Sequence, residues 1–424
     1  MKNIFGLKKF HSDFLIYVGG GFLYKAIPFL LIPILTKLMS TADYGIMSIV
    51  LNYIVFLQLF ANNGLVMSAK RQHYLDGPQQ DATLLSSLLV SPWIAIIPIA
   101  ILLYTVSFAF PELLGIDGSF LPLLLMGFVA LCYFSIAGTF TKVFKKPILF
   151  LTLKFVAFIS EFLLTLWFVS RLDLSAYGRI IAFIIANVFI SGIVLFYLFR
   201  SHKLSFSPKL GVIQQLFKES VFLIPVLVLP LMYRLLDRYL VATWFSMEKL
   251  GLLSVALQVA GILLVFENSS MNAFQPEMFS IIAKKDKANK KKKLVKMIIR
   301  QGLLITLFAG TLYLVAPFIY RWFIDPKFAE GQQYVLLIII AYTFLGYFKL
   351  LTSIFISKKK YLFMNISVFI ALIIFLGTAY MLKYEYLEFS ILYGALFSSI
   401  YLFVTFLGAL IWSRRADIKY FFSK

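Results

Sequence analysis

Apolar runs of roughly 20 or more residues, the length that crosses a bilayer as a helix, alternate along the chain with short polar connections. Twelve runs are read, at residues 14–36, 44–69, 83–109, 119–141, 148–170, 174–199, 220–245, 250–275, 297–320, 332–356, 361–382 and 387–412. They are too long for strands and lack period-two alternation, so each predicts a membrane-spanning helix. Two runs are broken by proline: "GGGFLYKAIPFLLIPILTK" (19–37) and "SVFLIPVLVLPLMYRLLDRYL" (220–240). Freed backbone groups at such breaks are tolerated only against protein or a wet cavity.

The pattern repeats. "STADYGIMSIV" (40–50) lies on "SMEKLGLLSVA" (246–256), matching Ser40 with Ser246, Gly45 with Gly251 and Ser48 with Ser254, and the same offset sets Asn62 on Asn268. Further on, "LCYFSIAGTFTKVFKK" (131–146) lies on "LGYFKLLTSIFISKKK" (345–360), with Tyr133-Phe134 over Tyr347-Phe348. The expected architecture is an all-α integral membrane protein of two six-helix repeats around a central cavity. An N-terminal lobe would span 1–206 and a C-terminal lobe 207–424. An even number of spans per repeat gives both halves one orientation, so a site is expected between them near the midplane.

Composition agrees. Charged residues are 14% and hydrophobic residues 61% of 424, against about a quarter charged in soluble domains, and mean hydropathy is +0.90. The basic start before the first run resembles a signal peptide, but the run is long and lacks a small-residue cleavage site, so a retained first helix is expected. The net charge of +21 follows the connections. One alternate set, including "KRQHYLDG", "KVFKKP", "RSHKLSFSPK" and "KKDKANKKKKLVK", carries 27 Lys and Arg; the other carries 7, against 9 Asp and Glu. By the positive-inside rule the first set, and both termini, are cytoplasmic. The charge therefore needs no nucleic-acid partner, and the lysines of 284–296 are expected beside anionic membrane lipids, with a regulatory site as the alternative. The one cysteine, Cys132, excludes internal disulfides and cysteine-based metal sites, and His11, His73 and His202 all fall near cytoplasmic ends. No metal is expected. No phosphate-binding loop or nucleophile elbow is present, and the connections are short, which speaks against an enzyme.

Six cations remain inside spans: Lys25, Lys154, Arg234, Arg238, Arg300 and Lys349, with three acids, Glu161, Asp237 and Glu267. Such residues usually face a cavity or a partner, because exposure to lipid costs roughly 2.5–3.5 kcal/mol on insertion scales. The positive excess suits an anion. Lys25 lies on the order of 16 Å into its helix, beyond the reach of snorkelling. Arg234 follows the equivalent prolines of the second half, within three residues of the position opposite Lys25. These two lead the expected anion site, with Lys154, Arg238 and Lys349 as further cavity cations. Arg234 could instead pair with Asp237 three residues on. Lys154 and Glu161 share one face of their helix, and Arg300 and Lys349 sit where snorkelling is the default. Glu267, Asp237 and Glu161 are the candidates for proton or sodium coupling; no other cofactor is expected.

"LIPILTKLMSTADYGIMSIV" (31–50) and "GLVMSAKRQHYLDG" (64–77) resemble the first helix junction and the second helix ending of polysaccharide flippases in the multidrug/oligosaccharidyl-lipid/polysaccharide superfamily. Lys37 stands where that family often has arginine, and His73-Tyr74 where it has a doubled aromatic. The resemblance implies a Wzx-type flippase, turning undecaprenyl-pyrophosphate-linked sugar units of O-antigen or capsule from the inner to the outer leaflet of the bacterial cytoplasmic membrane. It would work by alternating access, beside glycosyltransferases and a polymerase. Deep Lys and Arg suit a pyrophosphate. A multidrug exporter of the same fold is the alternative, although cationic drugs would favour a carboxylate where Lys25 stands.

The charge split makes the orientation testable. A cysteine at Ala288, or a reporter fused after Lys424, should be inaccessible from outside intact cells; external labelling of either contradicts the topology.

Overall fold

The computed structural model describes residue 29 and residues 31–76, 80–221, 235–283, 287–357 and 360–415. Most of the first predicted span and half of the seventh lie outside these residues. Among the described residues there is no strand, and ten helices are long and apolar enough to cross a membrane. Each of the ten remaining predicted spans falls on one of them. Phe108, Met381 and Trp322 are 91%, 83% and 76% exposed, a surface suited to lipid.

Two compact units divide between Gly251 and Leu252. The first contains α1 (Thr41–Gln58), α2 (Gly64–Asp76), α3 (Asp81–Ala109), α4 (Leu121–Val143), α5 (Pro147–Leu166), α6 (Ser175–Ser201) and α7 (Leu210–Val221). Ser40 starts α1 by accepting a hydrogen bond from the Asp43 N–H at 3.0 Å, which satisfies a donor left over at the helix start. A π-helical turn, Leu59–Asn63, joins α1 to α2 and buries Asn62. In the core, α4 packs against α1, α3 and α6, and α5 lies on α6. Phe128, Ile136 and Phe140 of α4 are wholly buried.

Helix α7 is absent from the sequence reading, which assigned its residues to a connection. It is amphipathic, too polar on one side to register as a span. Leu216 is buried while Leu210 and Phe217 are exposed, and the helix packs on α2 and α3. The segment before it is fastened to α3: the Ser207 N–H donates to Ser86 Oγ at 3.1 Å and the Lys209 N–H to Ser87 Oγ at 3.0 Å.

The second unit comprises most of α8 (Met247–Ala283), then α9 (Lys287–Phe323), α10 (Gln332–Ser357), α11 (Tyr361–Tyr386) and α12 (Phe389–Arg415). Helix α12 packs against α10 and α11, and α9 against α10. Part of the lysine run, read as a connection, is the first turns of α9; Lys and Ala are good helix formers and the run holds no Gly or Pro. Phe348, Phe355, Phe363 and Phe406 form an aromatic cluster at 4.8–5.4 Å between centroids.

The repeat has physical counterparts. Tyr133 and Tyr347, equivalent by sequence, each bond the helix before their own. Trp93 Nε1 of α3 donates to the Tyr133 hydroxyl at 2.6 Å, and Thr306 of α9 bonds the Tyr347 hydroxyl. Within the first unit, α1 crosses the start of α8 so closely that a Cβ at Gly45 would lie 2.2 Å from the Met247 carbonyl oxygen, and one at Gly251 would lie 1.9 Å from that of Thr41. Thr41 and Met247 are themselves equivalent in the repeat, so the contact is reciprocal.

That crossing predicts the effect of one added methyl group. Gly45→Ala and Gly251→Ala should each destabilise the purified protein by about 1–3 kcal/mol or more, whereas Gly261→Ala, which has nothing within 4 Å of a built Cβ, should leave the melting temperature near wild type. A Gly251→Ala protein as stable as Gly261→Ala contradicts the packing.

Candidate functional site

Lys25 and Arg234, the leading pair of the expected anion site, lie outside the described residues. The other intramembrane charges are placed, and three cations meet three carboxylates.

On α5, Glu161 is buried (5% exposed) and accepts a hydrogen bond from Arg179 Nη2 of α6 at 2.5 Å. Glu161 is thus engaged by the neighbouring helix. Arg179 was missed by sequence reasoning, which counted it with an outer connection. It lies in the second turn of α6 and is itself only 5% exposed. A basic residue just inside a span, opposite an acid on the preceding helix, was the available signal. Its Nε and Nη1 are buried without a hydrogen-bond partner.

Asp237 and Arg238 lie on a helical stretch over 235–244. Asp237 Oδ1 accepts from the Arg238 backbone N–H at 2.6 Å and from its Nη1 at 3.2 Å, and Arg238 Nε donates to Ser48 Oγ of α1 at 3.2 Å. Asp237 is therefore engaged by its chain neighbour, and Arg238 reaches a serine that the repeat had already singled out. The Arg238–Ser48 bond attaches this helical stretch to α1.

In the second unit Glu267 of α8 is fully buried and accepts from Lys349 Nζ of α10 at 2.9 Å. Lys349, expected among the cavity cations at a depth where snorkelling is the default, has its ammonium on the acid. Gly346, one turn before it, makes room, since a Cβ there would lie 2.6 Å from Glu267 Oε1. Beside this pair, Gln301 donates to Ser270, and Arg300 lies 6.0 Å from the Phe274 ring centroid.

Lys154 has aromatic company. Its Nζ lies 3.9 Å from the centroid of Phe134 and 5.9 Å from that of Phe150. At the polar end of the first unit, a cavity of about 350 Å³ is lined by His73, Asp81, Phe144, Lys145 and His202. His73 Nδ1 is 2.6 Å from Asp81 Oδ1, and the His202 ring stacks on Phe144 at 4.1 Å. Burial, then Lys146, lowers the pKa of His202 below the ordinary imidazole value, partly opposed by Asp81.

Arg179, Arg238 and Lys349 are thus matched to acids, and the Lys154 ammonium lies over two rings. Acid-matched pairs keep helices in register and can exchange a proton or small cation at the carboxylate.

Comparison with known proteins places this arrangement. The chain is similar to the solved structure of the lipid II flippase MurJ in an inward closed conformation, at 12% identity and a TM-score of 0.68, over 94% of this chain and 87% of that one. It is also similar to the eukaryotic MATE transporter AtDTX14, at 14% identity and a TM-score of 0.65, over 97% and 98% of the two chains. The Vibrio cholerae MATE transporter VcmN gives 17% identity and a TM-score of 0.61, over 97% of each chain. A search of curated protein sequences finds no match. These likenesses show a fold shared with MATE transporters and with a lipid II flippase. Residues 10–281 match the model of a family described as polysaccharide biosynthesis protein, and with most of its length matched the chain belongs to that family.

Proposed function

We propose that this chain carries undecaprenyl-diphosphate-linked oligosaccharides from the inner to the outer leaflet of the bacterial cytoplasmic membrane for O-antigen or capsule synthesis. The observation that carries this reading is the polysaccharide biosynthesis family match on a fold shared with a lipid II flippase. The chemistry of the chain supports it: six intramembrane cations by sequence against three acids, and three acids already engaged by basic side chains. Lys25 and Arg234 are assigned to the diphosphate, one from each sequence repeat, and the repeats 1–206 and 207–424 are the lobes that alternate. Both termini face the cytoplasm, where glycosyltransferases complete the lipid-linked unit; a polymerase takes it on the other side.

A multidrug exporter is the second reading, favoured by the likeness to MATE transporters. An exporter of cations would draw its cargo to an acid, whereas here the deep first-helix charge is Lys25.

In a strain depending on this chain for surface glycan, Lys25→Ala and Arg234→Ala should abolish or strongly reduce it with protein level unchanged. Lys25→Glu should be worse, Lys25→Arg should retain part, and Lys293→Ala should be silent. Wild-type glycan with Lys25→Glu rejects the assignment of the anion.

Glu267 is assigned to proton or sodium coupling, with Lys349 as the group that competes with the ion for its carboxylate. Lys349→Met strands a buried acid and should cost about 3–5 kcal/mol of stability. Adding Glu267→Gln should recover most of that loss without recovering export. A stable double variant that exports at the wild-type rate makes the pair purely structural.

A further inference from the structure

Helices α4 and α6 end beside each other and in the same way. After α4 the Lys145 N–H donates to the Lys142 carbonyl at 3.0 Å and the Lys146 N–H to that of Thr141 at 2.8 Å. After α6 the Lys203 N–H donates to the Arg200 carbonyl at 3.3 Å and the Leu204 N–H to that of Phe199 at 2.9 Å. This is the helix stop whose turning residue takes the left-handed conformation. Both turning residues are lysines, Lys145 at φ 52° and Lys203 at φ 51°, where a Cβ is unfavourable and glycine is the usual choice. The residues just before them, Phe144 and His202, stack on each other at 4.1 Å. An ammonium is thus kept at two positions where the local backbone favours none.

Two cavities border these stops. One, of about 350 Å³, is lined by Lys145 and His202 with His73 and Asp81; the other, of about 480 Å³, by Phe196, Phe199, Arg200, Lys203 and Ser205. Leu204 lines both. Asp81 is engaged by His73 at 2.6 Å. Among the described residues no carboxylate pairs with Lys145, Lys146, Arg200 or Lys203, and His202 Nε2 is buried without a hydrogen-bond partner. Such an orphaned nitrogen asks for a partner from outside the chain. Next to this charge the surface turns apolar: Phe196, Tyr197 and Phe206 are 66%, 46% and 63% exposed, and the two spans end at Val143 and Ser201. A soluble anion would use the charges and leave the aromatic flank idle, whereas an amphiphile with a negative head uses both. We propose that this end of the first unit binds an anionic phospholipid. Its phosphate meets Lys145 and His202 Nε2, the rest of the head group meets Arg200 and Lys203, and an acyl chain runs down α6 along Phe196. The positive-inside rule assigns this lipid to the cytoplasmic leaflet. It is a resident lipid, independent of the cargo assigned to Lys25 and Arg234.

Glycine supplies the test. The purified full-length chain is placed in phosphatidylcholine nanodiscs with a trace of phosphatidylglycerol bearing a diazirine on one acyl chain, and photocrosslinked peptides are identified by mass spectrometry. Capture at residues 196–206 is expected, several-fold above that of phosphatidylcholine with the same label. Lys145→Gly/Lys203→Gly removes both ammoniums and relieves both left-handed residues. It should therefore melt no lower than wild type in detergent, yet capture the labelled phosphatidylglycerol at least about ten-fold less, the loss of charged contacts. His202→Phe, which keeps a ring on Phe144, should lower capture several-fold. Wild-type capture by the glycine variant, or equal capture of labelled phosphatidylcholine, overturns the site. A glycine variant that melts well below wild type removes its geometric basis. Displacement of the label by inorganic phosphate makes the occupant a soluble anion and overturns the lipid. Glycolipid transport enters none of these readouts, so the cargo reading is tested separately.

Discussion

A charge placed in hydrocarbon costs roughly 2.5–3.5 kcal/mol on insertion scales, and the arrangement of this chain's interior follows from that cost. Arg179 and Lys349 are each turned onto an acid on another helix, Glu161 and Glu267, and Arg238 onto its neighbour Asp237. Lys142 and Lys154 also lie over buried phenylalanine rings, Phe150 and Phe134. Removing one member of an acid-matched pair leaves a buried charge, which is expensive, so these residues tie helices together whatever else they do. Helix α5 carries both kinds of contact, at Lys154 and at Glu161.

Close backbone approach sets the geometry in which those charges sit. Gly45 and Gly251 let α1 and the start of α8 meet at backbone distance, and Ser48, one turn past Gly45, takes the Arg238 guanidinium. Gly346 plays the corresponding part for Glu267: without a side chain there, the carboxylate has room to face Lys349. Small residues at helix contacts are the general means of packing in membranes, where lipid supplies no hydrophobic drive between helices. In this chain they also decide which polar groups can reach one another.

Ten spans were legible from hydropathy because each lies where twenty apolar residues can only be a helix in lipid. The repeat was legible from small residues and from Tyr133-Phe134 with Tyr347-Phe348, and the structure gives both tyrosines bonds to the preceding helix. Helix α7 was not legible, since an amphipathic stretch between spans carries no hydropathy signal of its own. Nor was the helical start of α9, where charge masked good intrinsic propensity. Among the candidate site residues, sequence identified Glu161, Asp237, Glu267, Lys154, Arg238 and Lys349 as intramembrane charges but not their partners. Glu161 and Arg179 are 18 residues apart and Glu267 and Lys349 are 82 apart; such pairings depend on helix rotation, which hydropathy does not encode. Arg179 was lost because its place near a span end resembled a connection.

By sequence, cations outnumber acids inside the spans, and the proposed anionic cargo rests on that balance together with the family to which the chain belongs. The most direct measurement reconstitutes the purified chain in vesicles holding a fluorescent polyprenyl-diphosphate-linked disaccharide and, separately, an organic cation dye, and follows each across the bilayer. The account predicts that the glycolipid crosses far faster than in protein-free vesicles while the dye does not. Movement of the dye with the glycolipid left behind would contradict it.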